Sequence, residues 1–166
     1  YNDDVIDLLA EHDLRLYFRP GTRFYYSNTG YVVLASIVEK VSGKRFGKYL
    51  DKKIFNPLDM DSTFVYSSAL DKDYPERVKG FRPYGRYYRE VPENQHDGVV
   101  GDKGIYSTAA DLFKWDNALY NQRILDKAQL EKAFSPAELQ NGNKVNYGFG
   151  FRLKEQNGKK IVYHNG

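Results

Sequence analysis

The sequence predicts an α+β fold rich in helix, and three observations carry that expectation. Apolar residues recur at helical spacing in several separate stretches. Between them lie short runs of aromatic and β-branched residues, bounded by glycine, proline and asparagine and too brief for helices. The chain then closes on a strand, Asn157-Gly158, strand pattern, the strongest hairpin signal it contains.

Taken in order, "DDVIDLLAEHDL" places Val5, Leu8, Leu9 and Leu14 near the helical period behind two acidic residues, and Pro20-Gly21 breaks it. The next helix should run from about Asn28 to Ser42. Tyr31, Leu34, Ala35, Val38 and Val41 form its buried stripe, Asn28 or Thr29 its cap, and Gly43 its end. "RFGKYLDKKIF" predicts a second short helix burying Phe46, Tyr49, Leu50 and Ile54, stopped by Pro57, so that the two make an αα-hairpin. "STFVYSS" and "RVKGFRPYGRYYREV" read as extended, with a turn near Gly85. In "GDKGIYSTAADLFKWDNAL" a glycine-rich turn leads into a helix, with Thr108 and Asp111 as a capping box and Ala109, Leu112, Phe113 and Leu119 inside. "DKAQLEKAF" is a further helix capped by Asp126. Residues 1–145 thus read as a helical subdomain with short strands and loops, and 146–166 as a β-hairpin.

The composition of the 166 residues, 41% hydrophobic and 28% charged, suits a domain burying roughly 70% of its unfolded surface. No apolar run approaches the roughly 18 residues of a membrane span. With 25 Lys and Arg against 22 Asp and Glu, the charge of +3 calls for no nucleic-acid partner. The absence of cysteine excludes disulfides, thiolate metal sites and a cysteine nucleophile. His12, His96 and His164 lack the close spacing of a zinc helix, and no metal or cofactor is implied. The 15 Tyr and 10 Phe supply bulk for a core or a groove wall. Arg and Tyr alternate across 77–89 as in a single-strand nucleic-acid groove, but Asp71, Asp73, Glu76 and Glu90 dilute the charge. A solvated hairpin accounts for that stretch.

Tyr26-Ser27-Asn28 stands at the mouth of the second helix. By itself the phenol reads as packing and the amide as a cap; alternatively, both are aimed into a reaction site. The surrounding blocks weigh on that choice. "PGTRFYYSNTGYVVLASIVEKVSGKRFGKYLDKKIFNPLDMDST", followed by "RVKGF", "GDKGIYSTAADLFKW" and a final "HNG", resembles in order the serine β-lactamase and penicillin-binding-protein superfamily. The similarity is to its class C-like branch of D-alanyl-D-alanine carboxypeptidases and esterases, and it covers most of the chain.

The resemblance implies the helical subdomain of the β-lactamase/transpeptidase-like fold, with a hairpin from the adjoining antiparallel sheet. It implies acyl-enzyme transfer on D-Ala-D-Ala-type peptides, β-lactams or esters. In that family a Ser-x-x-Lys supplies the nucleophile, a Tyr-x-Asn manages its proton, and a Lys/His-x-Gly strand lines the far wall. Tyr26 and Asn28 match the second element, and His164, Asn165 and Gly166 the third. A phenol has a pKa near 10 and needs a nearby cation to act as a base, while a carboxamide donates and accepts at once. The family's usual address is periplasmic or extracellular.

The chain departs from the pattern at one point. None of its eight serines is followed by lysine at the third position; Ser42 comes nearest, with Arg45 there. The expectation is an internal fragment whose nucleophile lies in missing parent segments. The rival is a non-catalytic module of the same fold that binds cell-wall peptide or protein.

Overall fold

A computed structural model of the chain describes residues 1–12, 14–69, 74, 77–93 and 95–165, with backbone only at 95 and 96. They divide into two compact units, one made of Tyr1–Asp13 and Ser27–Lys114, the other of Leu14–Tyr26 and Trp115–Gly166. The fold is α+β, with helices and small antiparallel strand pairs. Among the described residues, no helix is long and apolar enough to cross a membrane.

In the first unit, α1 spans Asn2–Glu11 and α2 spans Asn28–Ser42, with Gly43 closing α2 in the left-handed region. α3 (Phe46–Leu50) continues through a π turn, Asp51–Phe55, into a 3-10 turn, Asn56–Leu58, so Pro57 ends the run as expected. β1 (Phe64–Val65) pairs antiparallel with β4 (Ile105–Tyr106), and β2 (Phe81–Tyr84) with β3 (Tyr87–Glu90) around Gly85. The core is Val32, Ala35, Leu50, Phe55, Leu58, Met60, Val65 and Val100.

Two expectations fail on α2. Its cap is Ser27, whose hydroxyl accepts from the Gly30 amide at 3.1 Å. Asn28 and Thr29 sit one and two positions too late, already inside the helix. The buried side carries Val32 and Ala35, whereas Leu34 is 53% and Val41 84% exposed. Small side chains win because backbone comes close there. A Cβ on Gly101, whose φ is +110°, would stand 2.5 Å from the Tyr31 carbonyl and 2.6 Å from the Ala35 Cβ. The same approach strands backbone polar groups, and Asn2 satisfies them. Fully buried, its carboxamide donates to the Val100 carbonyl at 3.0 Å and the Val32 carbonyl at 3.3 Å, and accepts from the Val100 amide at 2.9 Å. α1 is therefore anchored by a polar residue, while Leu8 and Leu9 of its apolar stripe are exposed.

α4 spans Ala109–Tyr120, and half of its predicted capping box forms. Thr108 Oγ1 accepts from the Asp111 amide at 3.2 Å. The Asp111 carboxylate turns inward instead, accepting from the Ser62 amide and the Thr63 hydroxyl, each at 2.9 Å, and from Lys114 Nζ at 2.9 Å. Leu112 and Phe113, expected inside, are exposed, and Asp111 takes the buried side within this unit. The Lys114 ammonium, with Thr63 and Ser62 assisting, holds the Asp111 carboxyl below its usual range against the opposing effect of burial.

In the second unit, α5 (Lys127–Ala133) is capped by Asp126 as the sequence predicts, and Gln129 reciprocates. β5 (Ala137–Glu138) pairs with β6 (Lys144–Val145), and β7 (Arg152–Gln156) with β8 (Lys159–Tyr163) across the Asn157-Gly158 turn. Ala118, Leu119, Ala133 and Leu153 are its buried apolar residues. The Pro20-Gly21 turn is held by Gln140, whose amide donates to the Gly21 carbonyl at 2.8 Å and whose side chain donates to the Pro20 carbonyl at 3.0 Å.

Asn2→Ala strands the Val100 amide and carbonyl, the Val32 carbonyl keeping the Ser36 hydroxyl at 3.1 Å, and should cost about 2–4 kcal/mol, read from denaturant unfolding. A carboxyl whose folded pKa is depressed stabilises the protein above its unfolded value of about 3.9, and loses that contribution as pH falls through the folded value. Asp111→Asn should therefore lower stability at neutral pH and flatten its fall on acidification, measured as unfolding midpoints across the acid range.

Candidate active site

The site residues are held by a folded-back loop and a strand end. "NYGFGF" turns tightly before β7: the Gly148 amide donates to the Phe151 carbonyl at 2.8 Å, and the Leu153 amide to the Asn146 carbonyl at 3.0 Å. Tyr147 thereby bridges to Arg152, and Arg152 pairs with Tyr163 in the β7–β8 ladder. Glycine is required at 148, because a Cβ there would lie 2.1 Å from the Ala133 carbonyl. His164 follows the last paired residue of β8. Register alone thus carries Tyr147 and His164 to one end of the hairpin.

Tyr26 closes the other segment of the same unit. Its ring is 41% exposed and lies nearly parallel to the His164 imidazole, centroids 5.9 Å apart at 27°. Tyr147 meets it edge-on at 6.3 Å and 80°, and packs on Phe24 at 5.0 Å. The Arg152 guanidinium carbon is 6.0 Å from the Tyr26 ring centre. The Tyr147 hydroxyl and His164 Nε2 are 3.2 Å apart, and His164 Nδ1 is 2.6 Å from the Asn165 carbonyl oxygen. Within this unit, then, Tyr26, Tyr147 and His164 come together, with the Arg152 guanidinium beside the Tyr26 ring.

Asn28 belongs to the other unit, as the first residue of α2 behind the Ser27 cap. It is exposed. The Asn165 backbone takes part through its carbonyl, and Gly166 lies outside the described residues. Sequence reasoning missed Tyr147 and Arg152. The available signal was the aromatic-Gly-x-Gly spacing of "YGFG" directly before a hairpin, a loop tight enough to aim its first side chain. Among the described residues, no group of His, Asp and Glu could hold a metal ion.

A helix-rich α+β chain with Tyr-x-Asn at a helix entrance and a histidine at a strand end has the fold and motif order of the β-lactamase/transpeptidase-like proteins. The chain belongs to the Beta-lactamase family, whose model matches residues 2–166. It is 39% identical over 180 residues to a penicillin-binding protein of Bacillus subtilis, covering 99% of this chain and 39% of that protein. It is 26% identical over 155 residues to a D-aminopeptidase of Brucella canis, covering 90% and 28%. The crystal structure of a penicillin-binding protein from Bacillus halodurans superposes with a TM-score of 0.76 at 25% identity, covering 96% of this chain and 48% of that one. The chain thus spans less than half the length of these relatives.

Ser27→Ala removes the α2 cap and should cost about 1 kcal/mol, with faster amide exchange at Gly30 and its first-turn neighbours as the readout.

Proposed function

We propose that the protein of which this chain is part is a serine hydrolase working by acyl-enzyme transfer on D-Ala-D-Ala-type peptides, β-lactams or esters. The observation that carries the reading is the solvent-accessible Tyr26 phenol beside His164 and Arg152. Membership in the Beta-lactamase family supports it. So do the relatives' names, one a penicillin-binding protein and one a D-aminopeptidase. No Ser-x-x-Lys occurs in these 166 residues, and in this proposal the nucleophile comes from another segment of the whole protein.

The chemistry assigns each residue a task. Tyr26, as phenolate, takes the proton of the serine hydroxyl while the serine oxygen bonds to the substrate's carbonyl carbon. The tetrahedral adduct then expels its amine or alkoxide, which receives that proton from the Tyr26 phenol. Water repeats the sequence on the acyl ester, giving a carboxylic acid and the free serine. A phenol with a pKa near 10 needs positive charge nearby to reach phenolate at neutral pH. In this proposal the lysine of the parent's Ser-x-x-Lys segment supplies it, while the Arg152 guanidinium carbon lies 6.0 Å from the Tyr26 ring centre. Asn28 orients the substrate amide, its carboxamide both donating and accepting. His164, Asn165 and Gly166 stand for the family's third element and contact the substrate, with 146–166 as a hairpin of the parent's main sheet. The protein's place of work is outside the cytoplasmic membrane.

Tyr26→Phe should lower kcat by about 10²–10⁴-fold on a chromogenic β-lactam or D-amino acid ester, and a fluorescent penicillin should label the intact protein covalently. Full turnover in Tyr26→Phe would remove the phenol from the mechanism. Reversible binding without acylation would assign a non-catalytic binding module.

A further inference from the structure

We propose that Tyr147 is a positioning residue for this site, its hydroxyl holding the His164 imidazole in the Nδ1–H form with Nε2 as acceptor. The inference rests on the reading of Tyr26 and His164 given above, and the two fail separately. It starts from the hydrogen-bonding capacities of the partners. The Asn165 carbonyl oxygen can only accept, so at 2.6 Å His164 Nδ1 must carry the proton. In the neutral ring Nε2 then holds a lone pair, and the group beside it must donate. That group is the Tyr147 hydroxyl, 3.2 Å away, which can rotate its proton onto Nε2.

Three features fix Tyr147 for this task. Its backbone bridges to Arg152 at the start of β7, its carbonyl accepts from the Ala137 amide at 3.0 Å, and its ring rests on Phe24. The imidazole is thus held at both nitrogens, and its ring faces Tyr26. The arrangement survives protonation of His164: Nε2–H then donates, and the Tyr147 oxygen accepts. Among the described residues, the groups around the imidazole that titrate or carry charge are Tyr26, Tyr147 and, beyond the Tyr26 ring, Arg152. Because Nε2 is engaged by Tyr147, the general base of the proposed reaction is left to Tyr26.

The test is nitrogen NMR on the intact protein labelled at histidine, about two pH units above the imidazole's ordinary value of about 6.5. The His164 signals are assigned by their loss in His164→Gln. The wild type should show a protonated Nδ1 and a bare Nε2. Tyr147→Phe, which keeps the ring contacts, should raise the Nε2–H form about three- to tenfold, the share one neutral hydrogen bond controls. It should also lower kcat about tenfold or more with little change in KM. An Nε2–H wild type, a tautomer ratio unmoved by Tyr147→Phe, or an unchanged kcat overturns the proposal. Near-UV circular dichroism matching the wild type ties these changes to the hydroxyl, whereas an altered spectrum assigns Tyr147 a packing role and overturns it too. Undiminished turnover in Tyr26→Phe would remove the acyl-transfer reading while leaving the tautomer result intact.

Discussion

One buried carboxamide makes the interior of the first unit possible. The run through Val100 and Gly101 is neither helix nor strand where it meets α2, yet it approaches closely enough that only glycine fits. Such an approach removes water from backbone groups that have no ladder to join, and unpaired groups of that kind are costly. Asn2 answers with two donors and one acceptor, linking α1, the early part of α2 and the irregular run. The small Val32–Ala35 side of α2 faces inward for the same reason. Asn28 stands at the start of the helix so held, and Ser27 closes its first turn.

The second unit reaches its geometry by another route. Tyr147 and His164 are placed by strand register and by a tight loop. Pairing Tyr147 with Arg152, and Arg152 with Tyr163, brings Tyr147, Arg152 and His164 around the Tyr26 ring. A one-residue slip of β8 would send His164 to the opposite face of the hairpin.

Charge is handled sparingly in the first unit's interior. Asp111 is buried but keeps its proton off, because Lys114, Thr63 and the Ser62 amide together outweigh the cost of removing it from water. Its neighbour Thr63 in turn meets the Ser107 hydroxyl at 2.7 Å, so the network spans the strand pair and the entrance to α4. An acidic residue three places after a threonine reads as a capping box, and the threonine half is one. The carboxylate found better partners in space than in sequence.

Features that depend on neighbours along the chain were legible in the order of residues. Helix ends at Gly43 and Asp126, the Gly85 and Asn157-Gly158 turns and the order of family motifs are local, set by backbone conformation and short-range hydrogen bonds. Only the tertiary structure decided which side of an amphipathic helix is buried. Periodicity marks where apolar residues lie and is blind to where the neighbouring backbone comes close, so it places Leu34, Val41, Leu112 and Phe113 inside although they are exposed. It decided likewise that Asp111 turns inward and that Tyr147 joins His164. Both depend on partners many residues away, brought together by strand pairing and close backbone approach.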